Sequence, residues 1–221
     1  MTRKKFSLCY KSFTVASLLI GIVLNLWNTR SIVAMLSYYT LQSNIICLIV
    51  FLIFEIQEIK QKEYKNEIYY LVKGGIIIMI VITAVVYRFA LAPGGFEMTS
   101  LKQSVSNKIV ANFLVHTLSP ILVLFDYILF DEKGKFKKYY PMIWIFIPLQ
   151  YVIYVYTYSA SGGEFYSIGG SRKYAYPFLD YEMIGYNGVI VSILFFAIAI
   201  LIISYILILY DNLRGKKKRA S

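Results

Sequence analysis

Apolar residues fall in six runs separated by short polar stretches: 12–27, 36–54, 74–92, 109–130, 140–158 and 186–210. Runs of this length, at about 1.5 Å of rise per residue, suit the roughly 30 Å hydrocarbon layer of a bilayer. Helix is the form they predict, because an open strand in lipid leaves each backbone polar group unpaired at a cost of several kcal/mol. The pattern therefore predicts an all-α polytopic membrane protein. Residues 1–221 make a single bundle of six transmembrane helices with a basic tail at 211–221. Arg3, Lys4 and Lys5 precede the first run, as they would in a signal peptide. No small-x-small cleavage pair follows Trp27, however: Ile32 and Ala34 stand at minus three and minus one before Met35, so the run is read as a retained helix.

Basic residues fall in alternate connections. Arg3, Lys4, Lys5 and Lys11 precede the first helix; Lys60, Lys62, Lys65 and Lys73 follow the second; Lys133, Lys135, Lys137 and Lys138 follow the fourth. Arg214, Lys216, Lys217, Lys218 and Arg219 form the tail. That is seventeen on one side, against five on the other (Arg30, Lys102, Lys108, Arg172 and Lys173), with Arg88 inside the third helix. The split predicts that both termini are cytoplasmic. The net charge of +11 is thereby a topology signal rather than a nucleic-acid footprint, and the tail is also suited to anionic membrane lipids. Composition agrees: 58% of residues are hydrophobic and 16% charged, which excludes a soluble enzyme or a disordered chain as a first reading. Cys9 and Cys47 make no disulfide framework. No internal repeat supports an inverted-repeat transporter. The longest outer connection, 159–185, is rich in Gly and Tyr and reads as a binding loop or a tether.

Polar groups inside the helices each need a partner or a purpose. Thr40, Ser43, Asn44 and Cys47 lie at helical spacing on one face of the second helix, as do Asn112, His116 and Ser119, followed by Pro120, in the fourth. By residue count Thr40 and Arg88 lie about 6 Å, and His116 about 10 Å, below the outer surface. Three helices thus bring a hydroxyl, a guanidinium and an imidazole to nearly one level. A hydroxyl nucleophile is activated by an adjacent base, so Thr40 and His116 are the candidate catalytic pair. Asn44 and Asn112 either bridge helices or donate to an oxyanion. Arg88 either snorkels to headgroups or clamps a carboxylate or phosphate. Asp126 reads as an interfacial or packing residue. A metal site is not expected: His116 is the sole histidine, and no cysteine pair or intramembrane carboxylate completes a ligand set at its level. No cofactor is expected.

Tyr39-Thr40-Leu41-Gln42-Ser43-Asn44 resembles the start of the second helix in the androgen-induced-protein family of six-helix membrane hydrolases and its bacterial relatives. His116 with Thr117, Ser119, Pro120 and then Asp126-Tyr127 resembles that family's fourth helix, and Tyr176-Pro177-Phe178-Leu179-Asp180 is similar to a segment common in the bacterial branch. The resemblance implies a catalytic threonine and histidine at Thr40 and His116, and hydrolysis of lipid acyl esters.

The reading is an intramembrane lipid-acyl-ester hydrolase, or an acyl transferase on the same chemistry. His116 takes the proton of Thr40, Asn44, Asn112 or Ser43 supports the oxyanion or substrate, and Arg88 binds a charged headgroup. Asp180 is the nearest acid by level to orient the imidazole. Activity is then expected to fall as His116 is protonated. Two other readings are a substrate-binding subunit of a transporter and a membrane scaffold without chemistry. The first finds no Ala-x-x-x-Ala docking motif in the first helix.

Overall fold

The computed structural model describes residues 2–27, 29, 31–61, 65–92, 105–167 and 170–220. Arg30, Lys62, Lys102 and Gly169, and most of the connection 93–108, lie outside the described residues. Helix α1 is Arg3–Trp27, α2 Ile32–Leu36, α3 Tyr39–Ile59, α4 Glu67–Val86, α5 Val105–Phe113, α6 Ser119–Phe130, α7 Tyr140–Trp144, α8 Phe146–Ala160 and α9 Tyr181–Ala220. Strands β1 (Phe165–Ser167) and β2 (Gly170–Arg172) form an antiparallel hairpin. Six continuous helical spans, with α5–α6 and α7–α8 each counted once, are long and apolar enough to cross a membrane.

Hydropathy located the apolar centres of these helices and missed their ends. α1 starts at Arg3 rather than residue 12, and α9 continues to Ala220 rather than 210, because polar residues can extend a helix beyond an apolar stretch. The run at 36–54 is divided. Ser31 caps the short α2, accepting from the Ala34 N–H at 3.2 Å, and the chain turns at Ser37 before α3. In α9 only Gly185 departs from helical geometry, at φ 69° and ψ 165°, a conformation that glycine adopts without a Cβ clash.

Helices α1, α3, α4 and α5–α6 pack on one another, and α8 and α9 flank α4. Of the six spans, those ending in α8 and α9 are the least buried. One apolar cluster fills the half of the bundle nearest the chain termini, around Phe51, Ile77, Tyr127 and Trp144. A second fills the half beneath the hairpin, around Met35, Leu41, Tyr151 and Tyr176. Gly74 lets α4 approach α7: a Cβ there would stand 2.1 Å from the Trp144 ring, whose indole N–H donates to the Leu71 carbonyl at 2.9 Å. Replacing Gly74 with Ala is expected to destabilise the fold by about 1–3 kcal/mol through overpacking, read as a lower melting temperature of the detergent-solubilised protein.

The end nearest the termini holds a charge network that corrects the sequence reading of Lys73. Lys73 is not in a connection. It lies within α4, is fully buried, and pairs directly with fully buried Asp126 of α6. Its ammonium also lies 3.3 Å from Asp131 and 4.9 Å from the centre of the Phe51 ring. Lys11 bridges Glu58 at 2.9 Å and Asp126 at 3.4 Å. Asp131 further accepts from the Tyr69 hydroxyl at 2.6 Å and stands 3.6 Å from Lys65. Asp126 is thus a packing residue that ties α6 to α1 and α4. Tyr127 donates to Asp211 of α9, which also accepts from the Gly134 and Phe136 N–H groups at 2.8 and 2.9 Å.

Candidate functional site

Two π-helical turns face each other in the half of the bundle beneath the hairpin. One, Tyr87–Leu91, continues α4; the other, Leu114–Leu118, joins α5 to α6. The second has a visible cause. Pro120 has no N–H, and its ring would crowd the carbonyl four residues back, that of His116, so the backbone widens there. The two turns carry residues that meet: the Tyr87 and His116 rings stack at 3.8 Å between centres and 10° between planes. Single π-turns of this kind are frequent at functional sites.

Around this stack the polar groups of α3 interlock. The Asn44 amide donates to the Thr40 carbonyl at 2.8 Å and across to the Val115 carbonyl, next to His116, at 3.3 Å. Ser43 donates to the Thr40 carbonyl at 2.9 Å and shares a 2.9 Å hydrogen bond with Thr83 of α4. Gly21 of α1 packs against the same turn, with its Cβ position 3.0 Å from Val115. Thr40, Ser43 and Asn44 are all buried, and so is His116. The backbone of Thr83 lies beside the imidazole, but neither ring nitrogen has a hydrogen-bond partner among the described residues, and nor do Asn44 Oδ1 and Ser119 Oγ.

Thr40 opens on the other side into an apolar cleft that encloses about 720 Å³ of unfilled space, part of it open to the outside. Tyr39 and Thr40 come from α3; Ile82, Thr83 and Val86 from α4; Tyr87 and Leu91 from its π-turn. Pro148, Leu149, Tyr151 and Val152 of α8 and Ile193, Phe196, Ala197 and Ile200 of α9 form the far wall. The roof is the segment Tyr176–Leu179, which folds down from the hairpin. Several bonds hold that roof. Tyr156 donates to the Leu179 carbonyl at 2.7 Å, while Tyr38 anchors the hairpin, donating to the Tyr166 carbonyl at 2.7 Å. The Tyr176 phenol reaches the side chains of Thr40 and Tyr151. Burial pushes that phenol up to about 12, with the contacts to Thr40 and Tyr151 partly opposing the rise.

The remaining candidates stand apart from the cleft. His116 and Asn44 lie behind its wall, reached through Tyr87 and Thr40. Asn112 is half-buried and Arg88 exposed, and neither is among the described lining residues. Asp180 caps α9, accepting from the Glu182 N–H at 2.9 Å and the Met183 N–H at 3.3 Å. Asp180→Ala is therefore expected to cost about 0.5–2 kcal/mol of stability, read by thermal unfolding, and to leave the pH dependence of any activity in place. Among the described residues no group of three His, Cys, Asp or Glu side chains is arranged to hold a metal ion.

Sequence reasoning did not single out Tyr176 for chemistry. Its position in a Gly- and Tyr-rich connection gave no sign that the chain folds back onto Thr40. No family model, no curated protein and no solved structure matches the chain.

Proposed function

We propose that the chain is an intramembrane lipid-acyl-ester hydrolase, of the kind its resemblance to the androgen-induced-protein family implies. It sits in the cell membrane with both termini cytoplasmic and the cleft in the outer half. The observation that carries this reading is the position of Thr40. It supplies a hydroxyl to the wall of an apolar cleft and is joined through Asn44 to the π-turn that bears His116. A lipid is the matching substrate class, because the far wall belongs to α8 and α9, the least buried helices, so an acyl chain enters from the bilayer between them.

Thr40 Oγ attacks the ester carbonyl carbon as its proton passes to His116. The adduct collapses with cleavage of the C–O bond to the alcohol, and His116 returns the proton to the departing oxygen. Water, deprotonated by His116, then attacks the acyl carbon; the bond to Thr40 Oγ breaks, the fatty acid leaves, and His116 returns the proton to Thr40 Oγ. In the free protein no hydrogen bond joins His116 to Thr40. Such contacts are often long before substrate binds and tighten in the complex.

A second reading, a lipid-binding module without chemistry, is favoured by the His116 imidazole, which has no hydrogen-bond partner among the described residues. Hydrolysis of a panel of long-chain acyl esters by purified protein separates the two. The hydrolase reading expects turnover in wild type that both Thr40→Ala and His116→Ala lose while eluting as folded monodisperse protein. The binding reading expects a co-purifying or titratable lipid and no turnover in any of the three.

A further inference from the structure

Besides Thr40 the cleft is lined by the hydroxyl-bearing residues Tyr39, Thr83, Tyr87 and Tyr151 and, from the roof, Tyr176. Tyr176 is buried, lines the cleft beside Thr40, and comes from the roof segment rather than from a membrane helix. Its ring is fixed on three sides: 5.9 Å from Tyr38, 6.2 Å from Tyr151, and stacked at 5.2 Å on Phe178. Its phenol reaches the Thr40 side chain, whereas His116 does not bond it.

We propose that Tyr176 is a catalytic residue of this site, the hydrogen-bond donor to the oxyanion that forms when Thr40 attacks an acyl ester. The inference rests on the hydrolase reading above. As the Thr40 Oγ–carbon bond forms, the carbonyl π pair moves onto the ester oxygen. The Tyr176 O–H donates to that oxygen and keeps its own proton, and the Thr40 proton goes to His116. When the adduct collapses the pair returns to the carbonyl and Tyr176 is unchanged. A donor suits this task when it is neutral at working pH, held in place, and surrounded by apolar groups that strengthen its field. Tyr176 meets all of these conditions. Burial keeps the phenol protonated, the three rings fix its direction, and the cleft around it is lined mainly by apolar side chains.

The test compares full-length wild type with Tyr176→Phe, which keeps the ring and removes only the hydroxyl. For the best ester of the panel, kcat is expected to fall about 10²–10³-fold with KM nearly unchanged, the size typical for loss of one oxyanion donor. A long-chain alkyl trifluoromethyl ketone, whose carbonyl oxygen becomes an oxyanion on addition of a hydroxyl, is expected to lose affinity by the same factor. The methyl ketone of equal chain length binds both proteins alike. Tyr176→His, which retains a ring donor, is expected to recover part of kcat, and it decides the matter if the Phe variant does not fold. A folded Tyr176→Phe that keeps wild-type kcat, or that raises KM alone, overturns the role of Tyr176 while leaving Thr40 as nucleophile. Wild type that neither cleaves an ester nor takes up the trifluoromethyl ketone overturns the hydrolase reading, and this role with it.

Discussion

Replacing Lys73 with Met is expected to destabilise the protein by about 3–5 kcal/mol, the range for breaking a buried ion pair from one side. The ammonium that disappears faces two carboxylates, Asp126 and Asp131, whose side chains are 0% and 2% exposed. Both stay behind with almost no exposure to solvent. Asp126 then keeps only Lys11, at 3.4 Å, and Asp131 only Lys65, at 3.6 Å, and each of these cations is shared or half in solvent. The double variant Lys73→Met/Asp126→Leu is expected to be less damaged than the sum of its parts. Lys11 retains Glu58 at 2.9 Å, Asp131 retains Lys65, and the remaining charges balance. Melting temperatures of the four proteins in one detergent give the coupling energy, and strict additivity would show that the pair contributes no mutual stabilisation.

The same network makes the protein acid-sensitive in a defined direction. Burial alone would raise the Asp131 carboxyl, but Lys73, the Tyr69 hydroxyl and Lys65 outweigh it and hold it below the usual carboxylate value. A depressed carboxyl contributes stability that is present above its unfolded value, about 3.9, and is lost as pH falls through its folded one. Thermal stability should therefore drop on acidification below about pH 4, and drop less in Lys73→Met, where the principal cation is already gone.

What the chain's pattern of residues makes legible is governed by range. The six spans are written in contiguous apolar stretches, and hydropathy reads contiguity. It cannot read where a helix runs on past the apolar part, so Arg3–Lys11 and the helical residues beyond 210 were missed as helix. Lys73 stands immediately before Gly74, where the apolar run begins, and a charge at the edge of a run reads as a connection. Only its pairing with Asp126, more than fifty residues later, moves it indoors. The polar stripe of α3 was legible because it is local, with Thr40, Ser43 and Asn44 one helical turn apart. Pro120 stands four residues after His116, and its effect on the backbone there emerges only with the structure. Nothing local foretold that Tyr87 would stack on that imidazole, or that a loop phenol would reach Thr40. Those contacts depend on how helices and roof pack together, and packing is not periodic.

Thr40→Ala should abolish ester turnover, at least about 10³-fold, and His116→Ala should lower it about 10²–10⁴-fold. The informative variant is the pair together. If His116 acts only by taking the Thr40 proton, removing it from a protein that already lacks Thr40 changes nothing further, and the double variant equals Thr40→Ala. The geometry gives this expectation its force. Thr40 and His116 touch different surroundings, one the cleft and the other the Tyr87 ring, and communicate through the Asn44 amide and the Val115 carbonyl. Two independent contributors would multiply their losses, whereas one catalytic unit does not. Thr40→Ser, which keeps the hydroxyl and drops a methyl, should retain turnover within about tenfold of wild type, since the attacking oxygen and its proton are unchanged. Losses that multiply in Thr40→Ala/His116→Ala would make the histidine a support for the π-turn rather than the base. The Tyr87–His116 stack would then be a packing device that holds α4 against the α5–α6 span, with Thr40 drawing its activation from the roof of the cleft.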